Sequence, residues 1–237
     1  MTLLQDGALT AAFDSASTAY DRLVGANPGY HRQLRRSARR LALPDGGEGL
    51  RVLDLGCGTG ASTAALLAAA PHAEITAVDA SAGMLERAAA KEWPGNVAFV
   101  HTPAEELERA GVSGPFDAVF AAYLVRNLTD PDKVLNGLRG LLRPGGRLAV
   151  HEYALSGAAR HRLVWTAVCR SVIIPAGSLG PGGADLYRHL WRSVLEFDTA
   201  PELAERLTAA GFDPVRTAPL PGWEYGILHT FLARAPR

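Results

Sequence analysis

Three glycines at alternate positions, Gly56, Gly58 and Gly60, directly follow a short apolar run over 51–55. The run is typical of a buried strand, and an alanine-rich helical pattern begins at residue 60. Glycine adopts positive φ readily and lets a ligand approach the backbone closely. The free amides at the start of the next helix point into the same space. The pattern therefore predicts a strand–turn–helix unit with a ligand site at the carboxyl end of the strand.

Short β-branched runs and longer amphipathic stretches alternate along the rest of the chain. This alternation predicts an α/β fold, a doubly wound, mostly parallel, seven-stranded Rossmann-like sheet. Strands are expected over 51–55, 74–78, 97–100, 116–121, 146–151, 212–218 and 226–234. Helices are expected over 60–70, 82–92, 104–110, 131–142 and 201–210.

Two segments depart from the alternation and predict the domain organisation. Residues 1–47 are expected to form an amino-terminal helical arm, and 48–237 the sheet domain. Within that domain, 156–198 are expected to form a helical lid or substrate subdomain inserted after strand 5. Two helices, about 158–174 and 183–196, would flank a loop from Pro175 to Gly183.

Bulk composition narrows the function classes. The chain has 237 residues, 24 basic and 24 acidic, which argues against nucleic acid as an obligatory partner. Neither the seven histidines nor Cys57 and Cys169 show metal-ligand spacing, so we expect no metal and reduced thiols in the cytoplasm. No secretory signal is visible in residues 1–10, and the longest apolar segment, 163–176, is too short to span a bilayer.

Two acidic residues near the glycine turn bear on the ligand. Asp79 closes the next strand, where a carboxylate can accept hydrogen bonds from both ribose hydroxyls. Residues 56–61 also match the dinucleotide pattern G-x-G-x-x-A, so NAD stays open. Asp54, at the end of the first strand, would repel a pyrophosphate and attract a methionine ammonium, unless it only bonds backbone amides of the turn. We therefore expect S-adenosylmethionine.

Several segments resemble class I S-adenosylmethionine-dependent methyltransferases, most closely the branch that C-methylates ubiquinone and menaquinone precursors. They are the glycine turn with Asp54, Val78-Asp79, and the segments 126–130 and 142–146. The pairs Phe13-Asp14 and Tyr20-Asp21 and the region 174–191 resemble the same branch. The resemblance covers nearly the whole chain.

The resemblance implies roles for individual residues. The methionine end of the cofactor would be held by Asp54, Gly56, Cys57, Gly58, Gly60 and Thr63. Asp79 would bind the ribose. The adenine would lie among Ala80, Met84, Ala104 and Glu105, with Ala122 and Tyr20 closing over the cofactor.

The expected acceptor is an aromatic or prenylated quinol, demethylmenaquinone-like, because removal of a phenolic proton makes a ring carbon nucleophilic. By resemblance Arg126 would stabilise the phenolate and Asn127 would orient Arg126; alternatively Arg126 only pairs with Asp130 or Asp132. His151 and Tyr153 form a second candidate catalytic group, with His151 as a general base. The family often has Leu-Glu-Phe at 151–153, and an Asp or Asn where this chain has Pro103.

Several alternatives stay open at this stage. The chain could methylate oxygen or carbon of a secondary metabolite, act as an NAD-dependent oxidoreductase, or bind S-adenosylmethionine without catalysis. The apolar lid could line a prenyl pocket or only seal the sheet. The arginine face over 32–40 could contact anionic lipid at a membrane surface or be solvated. A homodimer also stays open.

Overall fold

The computed structural model describes residues 7–15, 29–178 and 183–237, with the side chains of residues 183 and 184 excluded. Tyr20 and Leu179 lie outside the described residues. The described strands are β1 (Arg51–Leu55), β2 (Glu74–Asp79), β3 (Val97–His101), β4 (Phe116–Ala122), β5 (Leu142–Tyr153), β6 (Arg216–Pro219) and β7 (Leu228–Arg234).

These strands form one sheet in the order β3-β2-β1-β4-β5-β7-β6. Strands β1 to β5 pair in parallel, whereas β7 runs antiparallel to both β5 and β6. The strand order reverses direction beside β1, so the carboxyl ends of β1 and β4 border a crevice. The predicted mostly parallel, seven-stranded, doubly wound sheet is thus confirmed.

Helices cover both faces of the sheet. They are α1 (residues 7–15), α2 (Tyr30–Arg40), α3 (Ala61–Ala69), α4 (Ala82–Ala89), α5 (Pro131–Leu141), α6 (Ala159–Val168), α7 (Ile174–Ser178), α8 (Gly183–Glu196) and α9 (Ala200–Ala209). A π-helical turn, Cys169–Ile173, joins α6 to α7. The local signals are those expected: the Ser81 side chain accepts a bond from the Met84 amide, and Pro131 begins α5. None of the described helices has the length and apolar character needed to cross a membrane.

Several element predictions are wrong in extent; the helix expected over 82–92, for example, ends at Ala89. The expected helix 104–110 is a 3₁₀ turn at Ala104–Glu106 followed by turns that reach Gly111, whose φ is +77°. The expected strand 212–218 begins only at Arg216, because Pro214 cannot donate to the ladder. Strand β5 extends to Tyr153 because its second half pairs with β7. The expected loop from Pro175 is helical as far as Ser178.

Two clusters of buried side chains occupy the two faces of the sheet. One contains Phe116, Val119 and residues of α5 and α9. The other contains Phe120 and the buried face of α2, including Leu34 and Ala38. The described part of the helical arm therefore packs into the same core as the sheet. The division into 1–47 and 48–237 stays a prediction.

The lid has its own apolar cluster at the carboxyl end of β5. Trp165 is fully buried and packs with Tyr153 of β5, Val194 of α8 and the loop residues Leu220 and Ile227. This packing favours the sealing interpretation of the lid for these particular side chains, since they lie against the sheet domain.

We predict that Phe120→Ala lowers the free energy of unfolding by about 3–5 kcal/mol, because Phe120 is completely buried in β4 and its removal leaves a cavity. Leu163→Ala is the matched control, since Leu163 is 70% exposed on α6. Urea unfolding measures both variants. Equal destabilisation by the two substitutions would contradict the described core.

Candidate active site

A cavity of about 540 Å³ opens at the carboxyl ends of β1, β2 and β4. The glycine turn forms the floor of the cavity. One end of the cavity lies against the start of α4 and the segment 102–105, and the other end lies against α2 and the end of β4. Helix α1 lines the cavity as well, through residues such as Phe13 and Asp14. The strand ends, the first turn of α3 and the helical arm thus build one elongated site.

The three glycines serve the turn for different reasons. All three have positive φ: Gly56 +75°, Gly58 +55° and Gly60 +89°. A Cβ atom on Gly60 would lie 2.6 Å from Trp93, so this glycine permits close packing of the turn. A Cβ atom on Gly58 would meet no atom within 4 Å. Gly58 lines the cavity, so here glycine leaves room for a ligand next to the backbone.

Asp54 lies behind the turn and is completely buried. Its Oδ2 accepts hydrogen bonds from Ser62 Oγ at 2.8 Å and Thr63 Oγ1 at 2.7 Å, both in the first turn of α3. The interpretation that Asp54 only bonds backbone amides is therefore wrong. Its Oδ1 is buried without a hydrogen-bond partner among the described residues. Burial raises the pKa of this carboxyl to about 7.

Asp79, at the end of β2, lies across the turn from Asp54 and lines the cavity. Its Oδ2 accepts from the Gly58 amide at 2.7 Å, and its Oδ1 from the Ser81 amide at 2.8 Å. Burial raises the pKa of Asp79 in spite of these two bonds. The bonds fix the carboxylate against the turn, and each oxygen keeps a further lone pair for a ligand hydroxyl.

Helix α1 is attached to the start of α4 through Asp14. One Asp14 carboxylate oxygen accepts from Ser81 Oγ at 2.5 Å and from the Gly83 amide at 3.0 Å. A carboxylate is favourable at this position because the helix N-terminus carries free amides and a partial positive charge. Asp14 thereby holds the arm over the cavity. Apart from the resemblance of Phe13-Asp14 to an entry helix, no pattern in the sequence predicts this contact.

Most of the predicted cofactor residues meet at the cavity. Those that line it are Gly56, Cys57, Gly58, Asp79, Ala80, Met84, Ala104, Glu105 and Ala122. Asp54, Gly60 and Thr63 are not among the lining residues. Gly60 belongs to the turn, and Asp54 and Thr63 lie behind it, so the three residues shape the floor of the cavity. Their role at the methionine end of the cofactor stays a prediction. Tyr20 cannot be placed, because it lies outside the described residues.

The other end of the cavity is aromatic. Tyr123 has φ +57°, which is rare for a bulky residue and places its ring against the cavity. Tyr30 of α2 stacks on Tyr123, with ring centroids 5.6 Å apart and an interplanar angle of 12°. Tyr30 is not among the residues that the sequence predicts at the site. The sequence signal for Tyr123 is its position directly after β4, at the carboxyl edge of the sheet. No such signal exists for Tyr30, because its stacking depends on how α2 packs.

Asn127 also lines this aromatic end, and its hydrogen bonds go to residues other than Arg126, which it was predicted to orient. Its Nδ2 donates to the Tyr123 carbonyl oxygen at 3.0 Å, and its Oδ1 lies 3.4 Å from His189 Nε2 of α8. Asn127 therefore links the turn after β4 to the lid. Burial lowers the pKa of His189 to about 4, so this imidazole is neutral near pH 7.

Arg126 is held in the wall of the site and does not line the cavity. Its guanidinium donates to Glu152 Oε1, and both side chains are buried. The alternative prediction that Arg126 pairs with Asp130 or Asp132 is wrong. Arg126 also makes no contact with the cavity, because its guanidinium is held by Glu152. Arg126 lies 5.9 Å from the ring centroids of both Tyr123 and Tyr153, so it supports the aromatic wall from behind.

His151 is likewise enclosed, which contradicts its predicted role as a general base at the cavity mouth. The imidazole is completely buried, and burial followed by the charge of Arg40 lowers its pKa to about 3. Its Nδ1 lies 2.8 Å from Ser37 Oγ, and its Nε2 lies 3.0 Å from the Tyr123 hydroxyl. A neutral, inaccessible imidazole of low basicity positions Tyr123 and does not meet the acceptor.

Tyr153 is buried in the same layer and also lies outside the cavity lining. Its hydroxyl donates to Glu224 Oε1 at 2.9 Å, and its ring packs between Tyr123 and Trp165. Burial raises the pKa of Tyr153 well above its usual value. Tyr153 thus continues the aromatic wall toward the lid.

The residues present fit a cofactor with a cationic amino-acid tail, an adenosyl group and no pyrophosphate. The unpartnered oxygen of Asp54 and the carboxylate of Asp79 place negative charge on both sides of the turn. That charge disfavours a diphosphate and favours an ammonium group. Asp79 offers acceptors for ribose hydroxyls, and the cavity next to Ala104 and Met84 offers an apolar surface for a base.

We predict that binding of S-adenosylhomocysteine strengthens as the pH rises through about 7. The Asp54 carboxyl is neutral below its raised pKa and charged above it, and only the charged form attracts the ligand's ammonium group. Affinity should change by at most about tenfold per pH unit. Calorimetry between pH 5.5 and 8 measures this change.

Asp54→Asn should weaken that binding and remove its pH dependence. Asp45→Asn is the control, because Asp45 is an exposed carboxylate in a turn outside the cavity. An unchanged pH profile in Asp54→Asn would contradict a role for this carboxylate.

We predict that Glu152→Gln lowers the free energy of unfolding by about 3–5 kcal/mol, since it leaves the buried Arg126 charge unpaired. The double variant Arg126→Met/Glu152→Gln should be less destabilised than Glu152→Gln alone. Denaturant unfolding measures both. A double variant that is less stable than the single one would show that the charge pairing is not the main contribution.

Comparison with known proteins assigns the family. Residues 1–230 match the ubiE/COQ5 methyltransferase family. The chain is 34% identical over 212 residues to a demethylmenaquinone methyltransferase of Clavibacter sepedonicus, covering 88% of this chain and 84% of that protein. It is 31% identical over 209 residues to the ubiquinone/menaquinone biosynthesis C-methyltransferase UbiE of Pseudomonas paraeruginosa, covering 86% and 80%.

Solved structures agree on the fold. A methyltransferase of Thermotoga maritima, described as a possible histamine N-methyltransferase, superposes with a TM-score of 0.66 at 17% identity, covering 96% of this chain and 99% of the other. At that identity the likeness concerns the fold alone. Because the family match spans residues 1–230 and the chain is 34% identical to a named relative, this chain belongs to the ubiE/COQ5 family of S-adenosylmethionine-dependent methyltransferases.

Proposed function

We propose that the protein transfers a methyl group from S-adenosylmethionine to a ring carbon of a demethylmenaquinone-like quinol. The observation that carries the proposal is the aromatic end of the cavity, next to Ala122, in a member of a family with relatives named for quinone methylation. A planar ring could lie against Tyr30 or Tyr123 there, on the cavity side of their stack.

The glycine turn, Asp79 and the residues near Ala104 would hold the cofactor at the other end of the same cavity. When bound, S-adenosylmethionine supplies a methyl group that its sulfonium has already activated. The protein therefore contributes mainly alignment and exclusion of water. Two helices would exclude water from the cavity. Asp14 holds α1 over the cofactor end, and His189 joins the lid helix α8 to Asn127 at the aromatic end.

Asn127 is the polar side chain best placed to position a phenolic oxygen of the acceptor. It lines the cavity next to Tyr123, and its amide is fixed by bonds to the Tyr123 carbonyl and to His189. Arg126 acts through the wall that it supports, and it is a positioning residue in this proposal.

A phenolic secondary metabolite is the second candidate acceptor. One observation favours it. At positions 151 and 153 of β5 the family often has an apolar residue and a phenylalanine, whereas this chain has His151, which bonds the Tyr123 hydroxyl, and Tyr153, whose hydroxyl bonds Glu224. Methylation of oxygen or carbon on such a substrate would use the same cofactor and the same cavity.

The protein's cellular setting is also part of the proposal. We place it in the cytoplasm, in transient contact with the membrane surface where prenylated quinols dissolve. The exposed arginines of α2 support that contact. They are Arg32, Arg35, Arg36 and Arg39.

We predict that Asn127→Ala lowers kcat/KM about tenfold with a short-chain demethylmenaquinol, the loss expected for one hydrogen bond in the site. Asn136→Ala is the matched control, because Asn136 is exposed on α5 and bonds only its own helix. Mass spectrometry of the product distinguishes methylation at carbon from methylation at oxygen. Turnover of simple phenols without any turnover of the quinol would favour the second candidate.

A further inference from the structure

A second pocket lies at the opposite edge of the sheet from the cavity. It measures about 240 Å³ and lies between the end of α2 and the amino ends of β5 and β6, where β7 ends. We call it the amino-edge pocket. Its polar side chains are those of Arg40, Arg147, Arg216 and Arg234; the other lining residues are Leu41, Ala42, Leu148, Pro214, Leu232 and Ala233.

These four arginines lack acidic partners. Among the described residues none of them forms an ion pair within 4 Å, and no acidic residue lines the pocket. Other arginines of the chain do pair with carboxylates, namely Arg109, Arg126, Arg143, Arg188 and Arg206. Because the chain has equal numbers of basic and acidic residues, the positive charge here reflects the fold and not a basic composition.

Two of the arginines are fixed in place by neutral acceptors. Arg40 donates to the Ala218 carbonyl at 2.9 Å and to Thr230 Oγ1 at 2.7 Å. Arg147 donates to the carbonyls of Leu41 and Ala42, the two residues that directly follow α2. Such bonds order a guanidinium group but leave its positive charge uncompensated. They also remove Arg40 from the solvated arginine face predicted for 32–40.

The other two arginines are available to a ligand. Both Arg216 and Arg234 are exposed; Arg234 reaches the Gly145 carbonyl only at 3.5 Å, and Arg216 makes no side-chain hydrogen bond among the described residues. Burial and the nearby charges of Arg234 and Arg143 lower the pKa of Arg147, consistent with crowding of positive charge. Four like charges around one small pocket repel one another unless an anion lies between them.

We propose that the amino-edge pocket binds a phosphoryl group. Guanidinium groups donate paired N–H bonds to phosphate oxygens, and two fixed and two adjustable arginines suit a compact anion of charge two or more. The group could belong to a soluble phosphate or to a lipid headgroup. The exposed arginines along α2 lead from the cavity end, at Tyr30, to this pocket, at Arg40. The proposal does not depend on the identity of the methyl acceptor.

The pocket variant Arg216→Gln/Arg234→Gln tests the proposal, since it removes two charges without breaking a strong internal bond. The matched control Arg109→Gln/Arg160→Gln removes two exposed arginines elsewhere. Calorimetry with inorganic pyrophosphate should show binding to the wild type and the control, and at least tenfold weaker binding to the pocket variant.

Flotation with vesicles distinguishes the two sources of the phosphoryl group. Vesicles of phosphatidylcholine with phosphatidylglycerol should bind the wild type, and lose binding in the pocket variant, if a headgroup is the ligand. If a soluble phosphate is the ligand, only pyrophosphate binding should depend on the pocket. A third variant, Arg32→Gln/Arg35→Gln, reports attraction by α2 alone. The proposal is overturned if neither probe binds, or if the pocket variant binds both as well as the control does.

Discussion

The site depends on a buried carboxylate that keeps one oxygen unpaired. Asp54 accepts two hydroxyl bonds from the first turn of α3 through Oδ2, and this fixes the helix relative to β1. Its Oδ1 is left without a partner behind a turn whose backbone is open to the cavity. Burying such a group is costly in a folded protein, and a cationic ligand offsets that cost. The same carboxylate therefore shapes the turn, and its unpaired oxygen places negative charge near the turn that favours a cationic group over a diphosphate.

The acceptor end follows a different principle. Tyr30, Tyr123 and Tyr153 form successive aromatic contacts, while Arg126 and His151 are fixed behind them by Glu152 and Ser37. Polar residues that the sequence predicts as a phenolate-stabilising group and a general base thus support a wall. The hydrogen bonds and the ion pair stabilise these buried polar groups, and together they fix the shape of the aromatic end of the cavity.

Charge is separated between the two edges of the sheet. Asp14 and Asp79 line the cavity at the carboxyl edge, with Asp54 buried behind the glycine turn, and arginines without an ion-pair partner among the described residues line the pocket at the amino edge. A chain with no net charge can in this way offer one site for a cationic cofactor and another for an anion.

The sequence by itself determined the sheet, the glycine turn and the cofactor class, because these depend on local signals: strand periodicity, positive φ and an acidic residue at a strand end. Most of the cofactor residues that the sequence predicts also line one cavity, since the carboxyl ends of parallel strands meet at one edge. Only the tertiary structure decided the roles of His151 and Arg126. Alternation along β5 places His151 on one face of the sheet without showing what covers it, and the position of Arg126 after β4 does not show its partner. His151 is enclosed by Ser37 of α2 and Tyr123 of the turn after β4, whereas Arg126 pairs with Glu152 of β5. The amino-edge pocket has the same origin, since its arginines are far apart in the chain and only strand pairing and the packing of α2 bring them together.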